Sequence, residues 1–141
     1  MMKSIIKNEW NPAHVYQYLD YYVQGQDDLK RSLSVIASLH IYKSVITATR
    51  IDLQIPKHTM LICGPSGSGK TYIVKRLAEY SNLPLIHISC ATLSTTGFIG
   101  SDIKTQMMTL ISSLYDQGYC QHQIEHAILF LDEFDKLSFL S

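Results

Sequence analysis

The most informative segment of this chain reads Gly64-Pro65-Ser66-Gly67-Ser68-Gly69-Lys70-Thr71. It fits the pattern G-x-x-x-x-G-K-[ST], in which glycines let the backbone turn tightly around an anion without a Cβ in the way. Successive N–H groups then point inward and form a nest for phosphate oxygens. The segment therefore predicts a phosphate-binding loop, in which Lys70 reaches the β- and γ-phosphates of a nucleotide and the Thr71 hydroxyl binds Mg²⁺.

The residues on either side of the loop fit this interpretation. Upstream, the apolar run Thr59–Cys63 predicts a short buried parallel strand. Downstream, Tyr72–Tyr80 predicts a helix with an apolar face. That face is formed by Ile73, Val74, Leu77 and Ala78. A loop that leads into a helix N-terminus is also favoured by the helix dipole as a phosphate site. The alternative, a Gly- and Ser-rich turn without a ligand, is disfavoured by this spacing and these flanks.

Composition limits the class of protein. The chain has 141 residues, of which 46% are apolar and 17% are charged, so one domain with a hydrophobic core is expected. The formal net charge is zero and no basic stripe is present, which argues against nucleic acid as a partner. The apolar runs are far shorter than a membrane span, so no association with a membrane is expected.

Cysteine and histidine spacing gives no sign of a metal centre. The three cysteines, Cys63, Cys90 and Cys120, lie far apart and form no C-x-x-C pair. This argues against a zinc site and a disulfide framework, and it suits a reducing cytoplasm. His122 and His126 have i,i+4 spacing, but no third ligand is evident near them. We interpret both as surface or partly buried polar side chains.

Two helices are predicted before the loop. Asn11-Pro12 is typical of an N-cap followed by proline at the first helical position, and this helix is expected to run through Leu19. Gly25 then interrupts the pattern. Asp27-Asp28 would open a longer helix that ends between Ser44 and Thr47. Its inner face is predicted to hold Leu29, Leu33, Ile36, Ala37 and His40.

After the loop and its helix, the pattern predicts strand, loop, helix and strand. Asn82 and Pro84 mark a stop, and Leu85–Ile88 is rich in strand-forming residues. Cys90–Gly100 is small and polar and is expected to be a loop, after which Ser101-Asp102 would cap a helix that ends at Gly118. The apolar residues of that helix have helical spacing and are Ile103, Met107, Leu110, Ile111 and Leu114. Ala127–Leu131 predicts a further buried strand.

This last strand delivers two carboxylates at its C-terminal end. Apolar residues followed by Asp132-Glu133 match the Walker B pattern, and the carboxyl ends of strands are where α/β sheets bind ligands. Asp132 would hold Mg²⁺ through water, and Glu133 would orient and polarise an attacking water. The alternative is a helix cap after a strand, where acidic residues are common. The upstream phosphate-binding pattern favours the catalytic interpretation.

Together these motifs resemble the AAA+ ATPase module of the ClpX family, the ATP-binding subunits of Clp proteases, with the related unfoldase HslU close to it. The resemblance covers nearly the whole chain. Pro12–Gln26 is similar to the family's first helix and its V-I-G-Q box, and the loop is similar to its P-loop. Cys90–Gly100 resembles the segment that ends in the G-Y-V-G pore loop, and Leu129–Lys136 resembles the Walker B strand.

The resemblance implies a nucleotide site for ATP and Mg²⁺, without zinc. Val23 and Gln24 would line the adenine pocket, Glu133 would be catalytic, and Thr71 and Asp132 would serve Mg²⁺. The remaining nucleotide-binding residues would be Pro65, Ser66, Gly67, Ser68, Gly69, Lys70, Thr71 and Tyr72. The chain departs from the family where Gln24 replaces an apolar residue.

The resemblance also implies a substrate loop formed by Gly97, Phe98, Ile99 and Gly100. Phe98 would grip a polypeptide in the central pore of a hexamer, because a flat, rigid side chain makes non-specific apolar contacts. Alternatively, Phe98 simply packs under its own loop. Here Phe98 stands where the family has tyrosine, and Ser101 stands where it has an acidic residue.

The implied fold class is α/β, a P-loop NTPase with a three-layer αβα sandwich and a parallel sheet. The chain would be incomplete and hold only the first three strands of the AAA+ core. We expect an N-terminal extension over 1–10 and a partial large domain over 11–141, with a leading helical segment at 11–58 and the P-loop to Walker B part at 59–136. The family's sensor residues, arginine finger and small helical domain would follow, so we expect a fragment or truncated product that is unstable and a poor ATPase by itself.

Two main functional hypotheses follow from the resemblance. The first is a cytoplasmic, ATP-dependent unfoldase subunit that forms a homo-hexamer, serves a ClpP-like peptidase and couples ATP hydrolysis to polypeptide translocation. The second is a nucleotide-binding module without turnover, either regulatory or a remnant. A third, weaker hypothesis is another AAA+ remodeller.

Overall fold

The computed structural model describes residues 10–48, 56–93 and 99–136. The chain divides into two compact units, residues 1–82 and 83–141, which are treated separately below. The predicted α/β class and parallel sheet are confirmed. No helix within the described ranges has both the length and the apolar character needed to cross a membrane.

The first unit begins with two packed helices. Helix α1 spans Pro12–Tyr22, and Asn11 caps it as predicted, because the Asn11 Oδ1 accepts a hydrogen bond from the Ala13 N–H at 2.9 Å. Its buried side chains are Val15 and Leu19. Helix α2 spans Asp27–Ala48 and packs against α1.

The buried face of α2 differs in part from the prediction. Leu33 and Ala37 are buried as expected, but the other members of the predicted face, Leu29, Ile36 and His40, are only half-buried. The buried stripe instead includes several polar residues together with isoleucines. These additional buried residues are Lys30, Ser34, Ser38, Ile41, Ser44 and Ile46.

Polar residues can occupy this face because each of them is hydrogen-bonded. The Ser34 and Ser38 hydroxyls donate to backbone carbonyls one turn earlier in α2, at 2.6 and 2.7 Å. The Lys30 ammonium forms ion pairs with Asp20 at 2.5 Å and Asp27 at 2.9 Å. Buried polar groups are tolerated when they have partners. The shift of the buried face therefore depends on contacts that a hydrophobicity pattern does not contain.

Helix α3 spans Lys70–Ser81 and follows the glycine-rich loop. Its buried residues are Ile73, Val74, Leu77 and Ala78, which confirms the predicted apolar face. Asn82 ends the helix in the left-handed conformation, as the stop signal indicated. Helix α3 contacts both α1 and α2, so the helix behind the loop is held by a packed core.

The predicted strand over Thr59–Cys63 is not formed: these residues belong to no helix and carry no strand pairing within the described part of the chain. Leu61 is 76% exposed, so the run is not buried either. A strand needs a neighbour for its N–H and C=O groups, and an apolar run by itself supplies none.

The second unit contains a parallel sheet of two strands, β1 (Leu85–Ser89) and β2 (Ile128–Asp132). Both strands were predicted, and each extends one residue further at its C-terminal end. The register runs from Leu85 opposite Ile128 to Ser89 opposite Asp132. The carboxyl ends of the strands therefore lie side by side.

Helices cover this sheet in the order α4 (Cys90–Leu93), α5 (Ile99–Asp116) and α6 (Gln121–Glu125), and a short 3₁₀ helix over Phe134–Lys136 follows β2. The buried core consists of Ile86, Ile88, Cys90 and Leu114. The predicted apolar residues of α5 pack against it, which confirms that face. Gly118, at φ +90°, follows the end of α5, as predicted.

Two expectations between β1 and α5 were wrong. The predicted loop Cys90–Gly100 begins with the helix α4, and Ser101-Asp102 lie inside α5 rather than capping it, because α5 begins at Ile99. Gly100 suggested a loop, but one glycine costs a helix only about 1 kcal/mol relative to alanine, which the rest of the 18-residue helix offsets.

Candidate functional site

The glycine-rich loop adopts a conformation that requires its glycines. Gly67 and Gly69 have φ angles of +77° and +86°, in the left-handed region that side chains rarely adopt. The Ser68 N–H donates to the Pro65 carbonyl at 3.3 Å and closes a turn within the loop. Gly69 is the N-cap of α3, so the loop leads directly into the N-terminus of a 12-residue helix. Backbone N–H groups at such a terminus favour an anion.

Lys70 places a positive charge in the centre of this loop. Its ammonium donates to the carbonyls of Gly64 at 2.7 Å and Pro65 at 2.8 Å, and lies 3.4 Å from the Ser68 hydroxyl oxygen. An ammonium has three donors and no acceptor, and here three oxygen atoms of the loop lie within hydrogen-bond distance of it. A phosphate that entered the loop would meet this charge together with the helix N-terminus.

A residue without a predicted role also contacts the loop. Gln26, in the turn between α1 and α2, donates from its side-chain Nε2 to the Ser68 carbonyl at 2.6 Å. The V-x-G-Q segment drew attention to this turn, but the resemblance assigned only Val23 and Gln24 to the nucleotide. The contact spans 42 positions of sequence, so no local pattern could have revealed it.

An open groove of about 510 Å³ lies beside the loop in the first unit. Its lining combines the start of α2 with the residues that lead into the loop. The lining residues are Gln26, Asp27, Asp28, Leu29, Leu61, Ile62, Cys63, Gly64, Pro65, Ser68 and Lys70. The lining of the groove therefore includes both the Lys70 cation and the two carboxylates of Asp27 and Asp28.

The residues predicted to contact adenine are not part of this lining. Val23 is buried at the C-terminal end of α1, where its N–H donates to the Leu19 carbonyl at 2.8 Å, while Gln24 is exposed. Both lie in the same short turn as Gln26. Tyr72, in the first turn of α3, is 45% exposed and packs beside the Arg76 guanidinium, which lies 5.2 Å from its ring centroid.

Charge pairing holds the turn between α1 and α2, which carries Val23, Gln24 and Gln26. The Lys30 ammonium, already paired with Asp20 and Asp27, also donates to the Val23 carbonyl at 3.3 Å. The hydrogen bonds that Lys30 donates to Asp20 and then to Asp27 raise the pKa of Lys30, although its burial acts in the opposite direction. The same contact with Lys30 lowers the pKa of Asp27. The turn is therefore anchored on both helices by a charged group.

In the second unit, the predicted carboxylates lie at the carboxyl end of the sheet. Asp132 is the last residue of β2 and Glu133 follows it with φ +53°, a conformation that is uncommon for a residue with a side chain. The Glu133 N–H donates to the Asp132 Oδ1 at 2.9 Å. Both carboxylates are thus oriented where parallel strands end, as the pattern predicted.

Side chains of β1 contact both carboxylates. The Ser89 hydroxyl donates to the Glu133 Oε2 at 2.9 Å, and the His87 Nε2 lies 3.2 Å from the Asp132 Oδ2. Neither residue was predicted, although adjacent parallel strands necessarily bring their carboxyl ends together. Burial raises the pKa of the nearby Cys90 thiol, and the charges of Asp132 and Glu133 raise it further.

Part of the predicted substrate loop falls outside the described residues. Gly97 and Phe98 are not described, so the prediction for Phe98 stays a prediction. Ile99 and Gly100 form the beginning of α5.

The rings of His122, in α6, and His126, which follows α6, contact each other in a tilted arrangement with centroids 4.6 Å apart. His126 is buried and its Nδ1 lies 2.9 Å from the His122 carbonyl oxygen, while His122 is half-buried. Within the described ranges, no group of three or more His, Cys, Asp or Glu side chains is arranged to hold a metal ion.

Comparison with known proteins gives the family. The model of the ATPase family associated with various cellular activities (AAA) matches residues 60–139, which include the glycine-rich loop and the paired carboxylates. The chain belongs to the AAA family of ATPases. This confirms the AAA+ resemblance and the α/β class that the resemblance implied.

Curated relatives of this AAA chain are ATP-binding subunits of Clp proteases. The chain is 34% identical over 128 residues to the "ATP-dependent Clp protease ATP-binding subunit ClpX" of Porphyromonas gingivalis. It is 35% identical over 127 residues to the protein of the same name from Treponema denticola. Each match covers 90% of this chain and 30% of the relative, so the chain spans about a third of the length of the curated relatives it matches.

Proposed function

We propose that this chain is the nucleotide-binding part of a ClpX-like AAA+ ATPase, and that its glycine-rich loop binds the phosphates of Mg-ATP. The observation that carries the proposal is the loop itself, in which left-handed glycines lead into the N-terminus of α3 around the Lys70 ammonium. This arrangement supplies the backbone N–H groups, the helix dipole and the mobile cation that a polyphosphate requires.

The residues present fit ATP and Mg²⁺. The loop is largely exposed and can be approached from solvent, and the Lys70 ammonium, which donates to two loop carbonyls, would donate to phosphate oxygens instead when a nucleotide binds. In the first unit the Thr71 hydroxyl is of the hard-oxygen type that Mg²⁺ prefers, and in the second unit the Asp132 carboxylate is of the same type. Bound Mg²⁺ would supply charge neutralisation for phosphoryl transfer.

Glu133 is the residue we propose for hydrolysis. Its carboxylate follows the end of β2 and is oriented by the Ser89 hydroxyl, which leaves one oxygen available to polarise water. Val23 and Gln24 are proposed to line the adenine pocket, and Tyr72 is proposed to contact the nucleotide. For these three residues the support is the resemblance and the exposure of Gln24 and Tyr72.

By the same resemblance, the larger protein would act in the cytoplasm as a homo-hexamer that unfolds proteins for a ClpP-like peptidase. The segment Gly97–Gly100 would contact the translocated polypeptide. The names of the relatives, which describe an ATP-binding subunit of a Clp protease, support this role.

A second candidate function is nucleotide binding without turnover. The observation that favours it is the segment 59–63, which leads into the loop without strand pairing in the described part of the chain and leaves Leu61 largely exposed. A loop with such support would still bind phosphate, but it would position the reacting groups less firmly, and phosphoryl transfer depends mainly on positioning and electrostatics.

Calorimetry with Mg-ATP tests the proposal. We expect Lys70→Ala to weaken binding by about 10- to 150-fold, which is the worth of one charge-assisted hydrogen bond. Lys75→Ala is the matched control, because Lys75 is an exposed lysine of the same helix, and its affinity is expected to equal that of the unaltered chain. Equal affinities for all three proteins, or no binding by any of them, would overturn the assignment of the loop.

Phosphate release separates the two candidate functions. Turnover that Glu133→Gln abolishes, with Mg-ATP still bound, supports the ATPase. Binding by the unaltered chain with no release above the level of Glu133→Gln supports the module without turnover.

A further inference from the structure

The side chain of Gln26 connects the α1–α2 turn to the phosphate-binding loop. Its Nε2 donates to the Ser68 carbonyl at 2.6 Å. A carbonyl can only accept, so this contact fixes which end of the Gln26 amide faces the loop. Gln26 is also among the residues that line the groove beside the loop. The contact therefore lies at the proposed nucleotide site.

The position of this contact on the backbone gives it a specific consequence. The Ser68 carbonyl and the Gly69 N–H belong to the same planar trans peptide, so they point in opposite directions. The Ser68–Gly69 peptide is joined to Gly69, whose φ of +86° lies in the left-handed region, and the absence of a Cβ on Gly69 lets this peptide rotate at low steric cost. A donor held on the carbonyl side resists that rotation and keeps the Gly69 N–H directed away from Gln26.

The donor itself is held in an uncommon conformation. Gln26 has φ +54°, and left-handed backbone is disfavoured for residues other than glycine, asparagine and aspartate. Such conformations persist when the surroundings determine them, and they concentrate at ligand sites. Here the Gln26 carbonyl accepts from the Lys30 N–H at 3.0 Å, and the Lys30 ammonium donates to the Val23 carbonyl at 3.3 Å. These two hydrogen bonds hold the backbone of the turn that carries the Gln26 side chain.

We propose that Gln26 is a positioning residue for phosphate binding, which holds the Ser68–Gly69 peptide so that the Gly69 N–H faces the phosphates of a nucleoside di- or triphosphate. This inference rests on the proposed function of the loop. Because Gln26 acts on the phosphate-binding loop and not on the adenine, loss of its hydrogen bond weakens the binding of ATP and of ADP alike.

Three variants of the full chain separate this role from a structural one. Gln26→Ala removes the donor and keeps the backbone strain, whereas Gln26→Gly removes the donor and relieves the strain. Gln17→Ala is the matched control, because Gln17 is an exposed glutamine of α1. We expect Gln26→Ala and Gln26→Gly to weaken Mg-ATP and Mg-ADP binding equally, by about 3- to 10-fold, which is the worth of one hydrogen bond.

Thermal melts of the same variants give the discriminating readout. We expect Gln26→Gly to melt at a higher temperature than Gln26→Ala, while both bind the nucleotides equally weakly. If Gln26 acted only by shaping the turn, affinity would follow stability, and Gln26→Gly would bind more tightly than Gln26→Ala. That result, or wild-type affinity in both variants, overturns the proposal.

Hydrogen exchange without nucleotide distinguishes failure of this inference from failure of the proposed function. We expect the amides of residues 66–71 to exchange faster in both Gln26 variants and at the original rate in Gln17→Ala. Unchanged exchange overturns the anchor whether or not ATP binds. Faster exchange in a chain that binds no Mg-ATP confirms the anchor on the loop, and overturns both its phosphate role and the proposed function.

Discussion

Ile73→Ala tests whether the phosphate-binding loop depends on the buried face of the helix behind it. The Ile73 side chain is fully buried, at 0% exposure, on the first turn of α3 after Lys70 and Thr71. The substitution removes three carbon atoms, which at about 0.8 kcal/mol each gives about 2.4 kcal/mol of lost transfer free energy. The cavity left behind brings the expected loss of unfolding free energy to about 3–4 kcal/mol.

Thermal melts followed by circular dichroism measure this loss, which corresponds to a fall in melting temperature of roughly 10–15 °C for a chain of this size. Ile73→Val is the matched control and is expected to cost only about 0.5–1.5 kcal/mol. Mg-ATP at 100 times its dissociation constant stabilises the folded state by about 2.7 kcal/mol, so it should restore most of the loss.

Two outcomes would refute this reasoning. If Ile73→Ala melts no lower than Ile73→Val, the helix does not depend on its buried face. If Mg-ATP raises the melting temperature of neither variant nor of the unaltered chain, the loop is not coupled to the stability of this helix through a bound nucleotide.

Three further predictions follow from the sites. In a full-length protein, Glu133→Gln should keep Mg-ATP bound and stop phosphate release, because an amide cannot polarise water; unchanged release would remove Glu133 from the mechanism. The hydrogen bond and charge of Lys30 lower the pKa of Asp27 below its ordinary value of 3.8. The ionised Asp27 therefore stabilises the folded state at pH values above 3.8, and this stabilisation is lost as the pH falls through the lower pKa that Asp27 has in the folded state. Urea melts at pH 6 and pH 3 should therefore show a smaller acid loss in Asp27→Asn, and equal losses would contradict this. Burial and then the nearby carboxylates raise the pKa of Cys90 above 9.0, so iodoacetamide at pH 8 should modify exposed Cys63 well before Cys90, as followed by mass spectrometry of the folded chain; equal rates would refute it.

Much of this protein is determined by local sequence. Asn11 and Pro12 set the start of α1, and the spacing of Ile73 and Leu77 sets the buried face of α3, because capping and helical periodicity act over a few residues. The two apolar runs before Ser89 and Asp132 indicated where strands could form, and these two runs pair with each other in the sheet. The phosphate-binding pattern and the paired carboxylates likewise identified the family without any tertiary contact.

Contacts between distant residues decided the rest. The buried face of α2 turned toward Lys30 because ion pairs with Asp20 and Asp27 satisfy an ammonium that hydrophobicity alone would place in solvent. The run 59–63 carried the composition of a strand, but a strand exists only when a neighbouring strand pairs with its backbone.

The site shows the same division. Sequence identified the glycines and Lys70, since their spacing carries the chemistry of the loop. Only the folded chain brings Gln26 to the Ser68 carbonyl, and Ser89 to Glu133, because these pairs are 42 and 44 positions apart and meet through helix packing and strand register. Local pattern thus determines which groups are available for chemistry, and tertiary packing determines which of them hold one another in place.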